Sequence, residues 1–425
     1  MNVRCSVPRL RRMFIPSLLS LLTLCVLLLV SVRYSYITES SPPPVDIQTF
    51  HKYNVSCSHI YDMDPVEVEK SLIIRKTQLV EDTDESLSEL TSNCPIFVKA
   101  RGYDNVCVSE EEDEFPIAYS LVVHKSAWMV ERLIKAIYSP TNIYCIHYDE
   151  KSPAQFISAM EGLAGCLPNV FIASKREVVY YATFTRLKAD LNCFSDLLRS
   201  EVKWKYIINL CGQDFPLKTN IELVSELEKL NGAHMLETCR PSDYKKERFT
   251  FHHELVQHDL HKFLKRTDEL KTPPPHGIEI FTGSAYVALS RDLVLYMNSS
   301  AVVKDLLAWS EDTFSPDEHF WATLVRIPGV PGEVPRSHPD IPDLVFKTRL
   351  VKWSGFEGYH YPPCTGTHIH SICIYGAAEI RWLLNYGHWF ANKFDPKVDP
   401  IAVQCLEEKL EERHKLFHSA ASTCH

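Results

Sequence analysis

Ile117-Ala-Tyr-Ser-Leu-Val-Val123, Ile143-Tyr-Cys-Ile-His147, Val170-Phe-Ile-Ala173 and Tyr206-Ile-Ile-Asn-Leu210 are the stretches on which the fold turns. Each is short, apolar and rich in β-branched residues, as a strand buried on both faces must be. Between them, Met129, Leu133 and Ile137 recur at helical spacing within 126–138, and Leu187, Leu191, Phe194 and Leu198 trace one face of a second helix. The β-α-β-α-β order predicts an α/β domain built on a parallel, Rossmann-like sheet with right-handed crossovers. A ligand of such a sheet sits beyond the carboxyl ends of the strands. That singles out His124, Asp149 and the loop Cys211-Gly212-Gln213-Asp214. No G-x-G-x-x-G follows any strand and no Walker A sequence occurs, which argues against a dinucleotide cofactor and a P-loop.

Outward from this centre the signals thin. Helices are expected at 221–230, 302–310, 317–326, 376–385 and 399–414, and strands near 280–289 and 345–353. Upstream of Phe115, the spacer Ser41-Pro42-Pro43-Pro44 and the acidic stretches Glu81–Glu85 and Glu110–Glu114 read as a solvated stem. Met13–Val32 carries no charge and is long enough, at 1.5 Å per residue, to span a bilayer core of about 30 Å. Arg4, Arg9, Arg11 and Arg12 precede it, so the positive-inside rule keeps the N-terminus cytosolic and the rest lumenal. A cleaved signal peptide is the alternative, but the run exceeds the usual length and no A-x-A-like site follows it. The expected organisation is a cytoplasmic tail at 1–12, a signal anchor at 13–32, a lumenal stem at 33–114 and a catalytic domain at 115–425.

Composition agrees with a globular protein: of 425 residues, 45% are hydrophobic and 23% charged. With 45 basic against 54 acidic residues the net charge is −9, which disfavours nucleic acid as a partner. The 14 cysteines, in a lumenal and oxidising setting, are expected to pair in part. Those expected paired are Cys57, Cys94, Cys145, Cys166, Cys193, Cys364, Cys373 and Cys405; Cys5, Cys25, Cys107, Cys239 and Cys424 read as spare thiols. Asn54-Val55-Ser56 and Asn298-Ser299-Ser300 are usable glycosylation acceptors. Anchor, stem and nucleotide-type domain together suggest a Golgi glycosyltransferase; a lumenal hydrolase or a sulfotransferase shares the same plan.

Six strings then stand in order: Phe115-Pro-Ile-Ala-Tyr-Ser-Leu-Val-Val-His124, Cys145-Ile-His-Tyr-Asp149, Ile208-Asn-Leu-Cys-Gly-Gln-Asp-Phe-Pro216, Phe281-Thr-Gly-Ser-Ala-Tyr286, Asp312-Thr-Phe-Ser-Pro-Asp-Glu318 and Phe390-Ala-Asn-Lys-Phe-Asp395. Together they resemble the core 2 β-1,6-N-acetylglucosaminyltransferase family, from about residue 54 to about 415. The resemblance implies a GT-A-type, metal-independent, inverting transferase that moves GlcNAc from UDP-GlcNAc to O6 of the GalNAc in Galβ1-3GalNAc-O-Ser/Thr. Its partners would be that donor, mucin-type O-glycans on glycoproteins, and the Golgi membrane, with no cofactor and no metal. A sibling specificity (core 4 or I branching) or a glycan-binding relative that has lost turnover are the rival readings, and the oligomeric state is open. It further implies the disulfides Cys57–Cys405, Cys94–Cys166, Cys145–Cys193 and Cys364–Cys373, with Cys211 free.

Residue by residue, the resemblance implies Glu318 as the base that takes the acceptor proton. Glu318 follows Ser315-Pro316-Asp317, a helix start whose dipole favours a carboxylate, although by itself such a residue also reads as merely serving the first helical turn. Many GT-A enzymes neutralise the leaving diphosphate with a metal held by a D-x-D at a strand end. Here D-x-D occurs only as Asp62-Met63-Asp64 and Asp82-Thr83-Asp84, in the expected stem, and the strand end reads Gly212-Gln213-Asp214. A side-chain cation about 4 Å away contributes roughly 4 kcal/mol at an effective dielectric of about 20, enough to replace the ion. The implied cations are Lys393 and, where the family has arginine, His370; an imidazole carries only part of a charge near neutral pH.

For the uridine the implied residues are Val122, Val123, His124, Asp149, Glu150, Lys151 and Tyr181. For the acceptor they are Glu237, Lys245, Arg248 and Trp353, whose carboxylate, cations and ring suit sugar hydroxyls and the apolar face of galactose. A second aromatic of some relatives is Gly355 here, and an acceptor-loop lysine is Pro339, departures that bear on acceptor preference. His253-Glu254-Leu255-Val256-Gln257-His258 imitates a zinc-protease H-E-x-x-H, but its second histidine falls one position late for shared ligation on a helix.

Overall fold

In the computed structural model, which describes residues 53–77, 82–259 and 261–421, the apolar runs form one sheet as expected. β1 (Ile117–Val123), β2 (Ile143–Tyr148), β3 (Val170–Ile172) and β4 (Tyr206–Cys211) are parallel, in the order β3-β2-β1-β4. All seven residues of β1 are buried. Their alternation divides the core: Tyr119, Leu121 and Val123 pack with Leu133, Ile134, Met160 and Leu163 from the helices Ala127–Ile137 and Ala154–Cys166. On the other face Ala118, Ile143 and Ile207 meet Leu187, Phe194 and Leu197 of the helix Phe184–Arg199. Ser120 is the polar residue of β1, and its hydroxyl donates to the buried Asp190 carboxylate at 2.8 Å. Arg186 Nη1 at 2.6 Å and Asn209 Nδ2 at 3.0 Å complete that carboxylate's bonding.

The second half is built from shorter pieces. β5 (Asp214–Pro216) follows β4 directly, and a hairpin of β6 (Phe251–His258) and β7 (His261–Leu270) stands largely exposed. β8 (Ala288–Ser290) closes the main sheet antiparallel to β4, so the strand expected over 280–289 is only its last part. β9 (Arg349–Val351) is the core of the strand expected over 345–353. β10 (Thr367–Ile369) and β11 (Ile372–Ile374) form a small hairpin. β12 (Phe390–Asn392) lies between β5, to which it is antiparallel, and β9, to which it is parallel. The expected helices appear as Asn220–Glu228, Ala301–Ser310, Asp317–Leu324, Ile380–Tyr386 and Pro400–Ala421.

The stem expectation is corrected in its described part: the folded body begins well before Phe115. Five helices, Cys57–Tyr61, Pro65–Thr77, Asp84–Thr91, Cys94–Arg101 and Glu110–Glu114, lie in the stretch read as stem. Leu87 and Phe97 are fully buried in the core of the main sheet, and Arg101 forms a buried two-pronged ion pair with Glu131 at 2.6 and 2.7 Å. The acidic stretches are not simply solvated. Asp84 accepts from Ala127 N at 2.7 Å, serving a helix start whose own Ser126 makes no side-chain cap. Glu112 is buried, caps Ser109 N and receives Asn220 Nδ2 at 2.9 Å. Both D-x-D sequences lie in this helical collar, with Asp64 accepting from Val66 N and Glu67 N at a helix start.

The four expected disulfides are formed. Cys57–Cys405 joins residues 348 apart and Cys94–Cys166 holds the collar to the sheet. Cys107, expected as a spare thiol, is disulfide-bonded as well, while Cys211 and Cys239 are free. Asn54 and Asn298 are both exposed. The tail and anchor expected at 1–12 and 13–32, with Cys5 and Cys25, the stem's first part, and Cys424 lie outside the described residues. No helix among the described residues is long and apolar enough to cross a membrane.

Candidate active site

The carboxyl ends of β1, β2 and β4 meet at one edge of the sheet, and the residues expected there for the donor are brought together. Asp149 N donates to Val123 O at 3.0 Å, and Ser152 Oγ donates to His124 O at 3.1 Å. Asp149 is nearly buried; its carboxylate receives Lys151 N at 3.1 Å, Lys151 Nζ at 2.7 Å and Val179 N at 3.3 Å. The segment 177–181 is thus laid along the end of β2, with Glu150 N donating to Glu177 O at 3.2 Å. Val122 is buried, and Tyr181 projects into solvent from this segment, 88% exposed. Burial first, and then Lys125, holds the His124 imidazole below the usual histidine range; Asp149 opposes this, and Lys151 and Lys393 add to it.

Lys393 therefore lies within electrostatic reach of the donor end. It is carried there by pairing of β12 with β5: Asn392 faces Asp214, and Phe394 N donates to Gln213 O at 3.0 Å. This sets Lys393 against the turn that follows β4, the place where an acid pair would hold a metal. Asp214, the acid of that turn, is fully buried and already bonded: Cys211 N at 2.7 Å, Asn392 Nδ2 at 2.9 Å, and Arg349 at 3.4 Å. Arg349 also stacks on the Tyr286 ring at 3.3 Å. Lys393 itself makes no ion pair among the described residues. His370 sits at the turn between β10 and β11, exposed and with φ of 50°, and the described residues offer it no hydrogen bond or ion pair.

Apart from these residues, Glu318 occupies the first turn of the helix Asp317–Leu324. Arg248, on the helix Asp243–Thr250, forms an ion pair with it. Two contacts fix the approach: Phe314 N donates to Arg248 O at 2.8 Å, and Ser315 N donates to Ala182 O at 2.7 Å. Gly283 N donates to Glu318 O at 2.8 Å, and a Cβ at Gly283 would overlap the Glu237 carbonyl oxygen. Only glycine lets 237 and 318 approach from its two sides. Lys245, Arg248, Thr282, Ser315 and Glu318 line one recess.

Charge in this recess is crowded. Burial pushes the Glu237 carboxyl up to about 7, with Asp343 and Glu318 adding and Lys245 opposing. Asp317, also buried, is pushed up to about 6, chiefly by desolvation, with Arg186 opposing and Glu318 adding. His319 is held neutral, down to about 3, by burial. Trp353 is 41% exposed and is held by a bridge to Ile372; no hydrogen bond joins it to Glu237, Lys245 or Arg248. Pro339 turns its carbonyl to Arg326, and the space about Gly355 is open. The imitation zinc sequence lies on β6, a strand, so His253 and His258 are not helical neighbours at all. The one set of potential metal ligands among the described residues, Glu357, Cys364 and Cys373, has both its sulfurs in a disulfide.

Sequence reasoning missed the Arg248–Glu318 pair, the Arg186–Asp317 environment and the Arg349–Asp214 pair. Each joins residues far apart in the chain, and only the assembled sheet edge reveals them.

Comparisons with known proteins agree with this architecture. The family described as Core-2/I-Branching enzyme matches residues 117–384. A zebrafish (Danio rerio) protein named β-1,3-galactosyl-O-glycosyl-glycoprotein β-1,6-N-acetylglucosaminyltransferase 4 is 60% identical over 88% of this chain and 86% of its own length. Its mouse (Mus musculus) counterpart is 59% identical over 87% and 82%. The human (Homo sapiens) protein of the same name numbered 3 is 45% identical over 86% of this chain and 84% of its own.

Proposed function

This chain belongs to the Core-2/I-Branching enzyme family, and from that premise we propose that it transfers GlcNAc from UDP-GlcNAc in β-1,6 linkage to the GalNAc of Galβ1-3GalNAc-O-Ser/Thr. The product is the core 2 branch of mucin-type glycans on glycoproteins. The fold is then a GT-A-type domain, anchored by 13–32 in the Golgi membrane with residues from 33 onward in the lumen. Glu318 takes the proton from O6 of the GalNAc as that oxygen attacks the anomeric carbon; the bond from that carbon to the diphosphate oxygen breaks, and UDP leaves from the opposite face with inversion.

The observation that supports this reading is a carboxylate at a helix start together with a separate lysine that no carboxylate claims. Glu318 stands at the start of its helix, and Lys393, carried beside the turn after β4, makes no ion pair among the described residues. Asp214, the acid of that turn, is already committed to Arg349, Asn392 and Cys211. A fixed ammonium there stabilises the negative charge that develops on UDP, without a metal and without reorganisation. His370, in the adjoining hairpin, is the second residue assigned to the diphosphate. Asp149, Glu150 and Lys151, with Val122, Val123, His124 and Tyr181, hold the uridine. Glu237, Lys245, Arg248 and Trp353 hold the acceptor.

The test is acceptor profiling of the purified lumenal protein with UDP-GlcNAc, in EDTA. Core 1 is expected to be the preferred acceptor, with a β-1,6-linked product. Transfer to core 3 or to poly-lactosamine in its place would assign a sibling specificity, and donor binding with no transfer to any of them would overturn the reading.

A further inference from the structure

The β6–β7 hairpin has no part in the account so far, yet it touches both the segment before the Glu318 helix and the segment at the end of β2. Its root is fastened to the loop that leads into the helix Asp317–Leu324. His253 N donates to Asp312 O at 2.8 Å, while the Asp312 carboxylate receives both His252 Nδ1 and Lys271 Nζ. Its far end returns to the donor side. Lys262 Nζ, near the β6–β7 turn, lies 5.4 Å from the centre of the Tyr180 ring, and Lys151 Nζ lies 4.9 Å from the same ring.

Two ammonium groups thus converge at the carboxyl end of β2, and they differ in one respect. Lys151 is neutralised by Asp149 at 2.7 Å and also donates to Val179 O. Lys262 is exposed and pairs with no carboxylate among the described residues. Its cation–π contact is a weak hold that a phosphate oxygen outcompetes, because a charge-assisted bond to an anion is the stronger interaction.

We propose that Lys262 is a donor-binding residue: its ammonium leaves the Tyr180 ring for the diphosphate of the bound nucleotide sugar. This rests on the nucleotide-sugar reading of the site.

The test compares UDP and uridine binding to the purified protein, to Lys262→Ala and to Lys262→Arg, by calorimetry for UDP and ligand-observed NMR for uridine. UDP affinity is expected to fall by about tenfold in Lys262→Ala and to stay within about twofold in Lys262→Arg, with uridine binding unchanged in both. Uridine serves as the control for folding, since it lacks the phosphates that Lys262 would meet. Equal UDP affinity in Lys262→Ala, or an equal loss for uridine, would overturn the inference and leave the transferase reading standing. A parent protein that binds uridine but gains nothing from the diphosphate would remove both.

Discussion

The two charged parts of the site treat their charges in different ways. At the base end Glu318 is ion-paired with Arg248, while Arg186 and Lys245 only oppose the upward push of burial on Asp317 and Glu237. At the leaving-group end Lys393 is held in place by β12 but answered by no carboxylate among the described residues. The difference matches what each part would receive on the proposed reading. A sugar is neutral, so its recess must be self-neutralising before it arrives. A diphosphate is an anion, so a lysine kept free of partners waits as its counter-charge, in the sense of a preorganised site.

The sharpest way to break this comparison is to neutralise one end at a time. Glu318→Gln is expected to lower the transfer rate by about a hundredfold to ten-thousandfold, with UDP affinity unchanged; retained transfer would remove Glu318 from the base role. Lys393→Ala is expected to lower kcat by about a hundredfold or more while leaving the KM for the acceptor alone. If the acceptor KM moved instead, the two ends would not be separable.

Glu237 sharpens the comparison through pH. Its carboxyl titrates at about 7 in the folded chain against an ordinary 4.5, so the folded state holds that proton more tightly than the unfolded one. Its stabilising effect is therefore complete below about 4.5 and drains away as pH rises through about 7. Glu237→Gln should abolish this, making the variant more stable than the parent above pH 7 by up to roughly 3 kcal/mol, read from denaturant curves at pH 5 and pH 8. A difference that does not change with pH would mean that the carboxylate is not desolvated. The smallest effect is expected at His370. His370→Arg, which adds a permanent charge to an exposed turn, should raise the rate at neutral pH by at most about fivefold. An unchanged or reduced rate at neutral pH would argue that this side chain lies away from the diphosphate.

The sheet was legible because parallel strands are buried on both faces. Ile117–Val123 has no polar alternation to confuse it with anything else, and its bounds match the observed strand. The hairpin was not legible for the opposite reason. His261–Leu270 is exposed along most of its length and alternates charges rather than apolar residues, so period two carries no signal there. The collar at 53–114 was misread because its acids looked solvated, whereas Asp84 and Glu112 are committed to a helix start and a buried network. At the site, the six strings located Glu318, Asp149 and Lys393 by resemblance. What no string disclosed is how the charges pair: Arg248 meets Glu318 across 70 positions of chain, and Asp214 is consumed by Arg349 across nearly twice that separation.

The claim on which the account stands is that the Lys393 ammonium does the work of a metal ion. A crystal structure of the protein with UDP, grown in the presence of manganese, tests it most directly. The account predicts Lys393 Nζ within hydrogen-bond distance of the diphosphate oxygens and no metal between them. A manganese ion bridging the two phosphates, with Lys393 turned away from both, would contradict it.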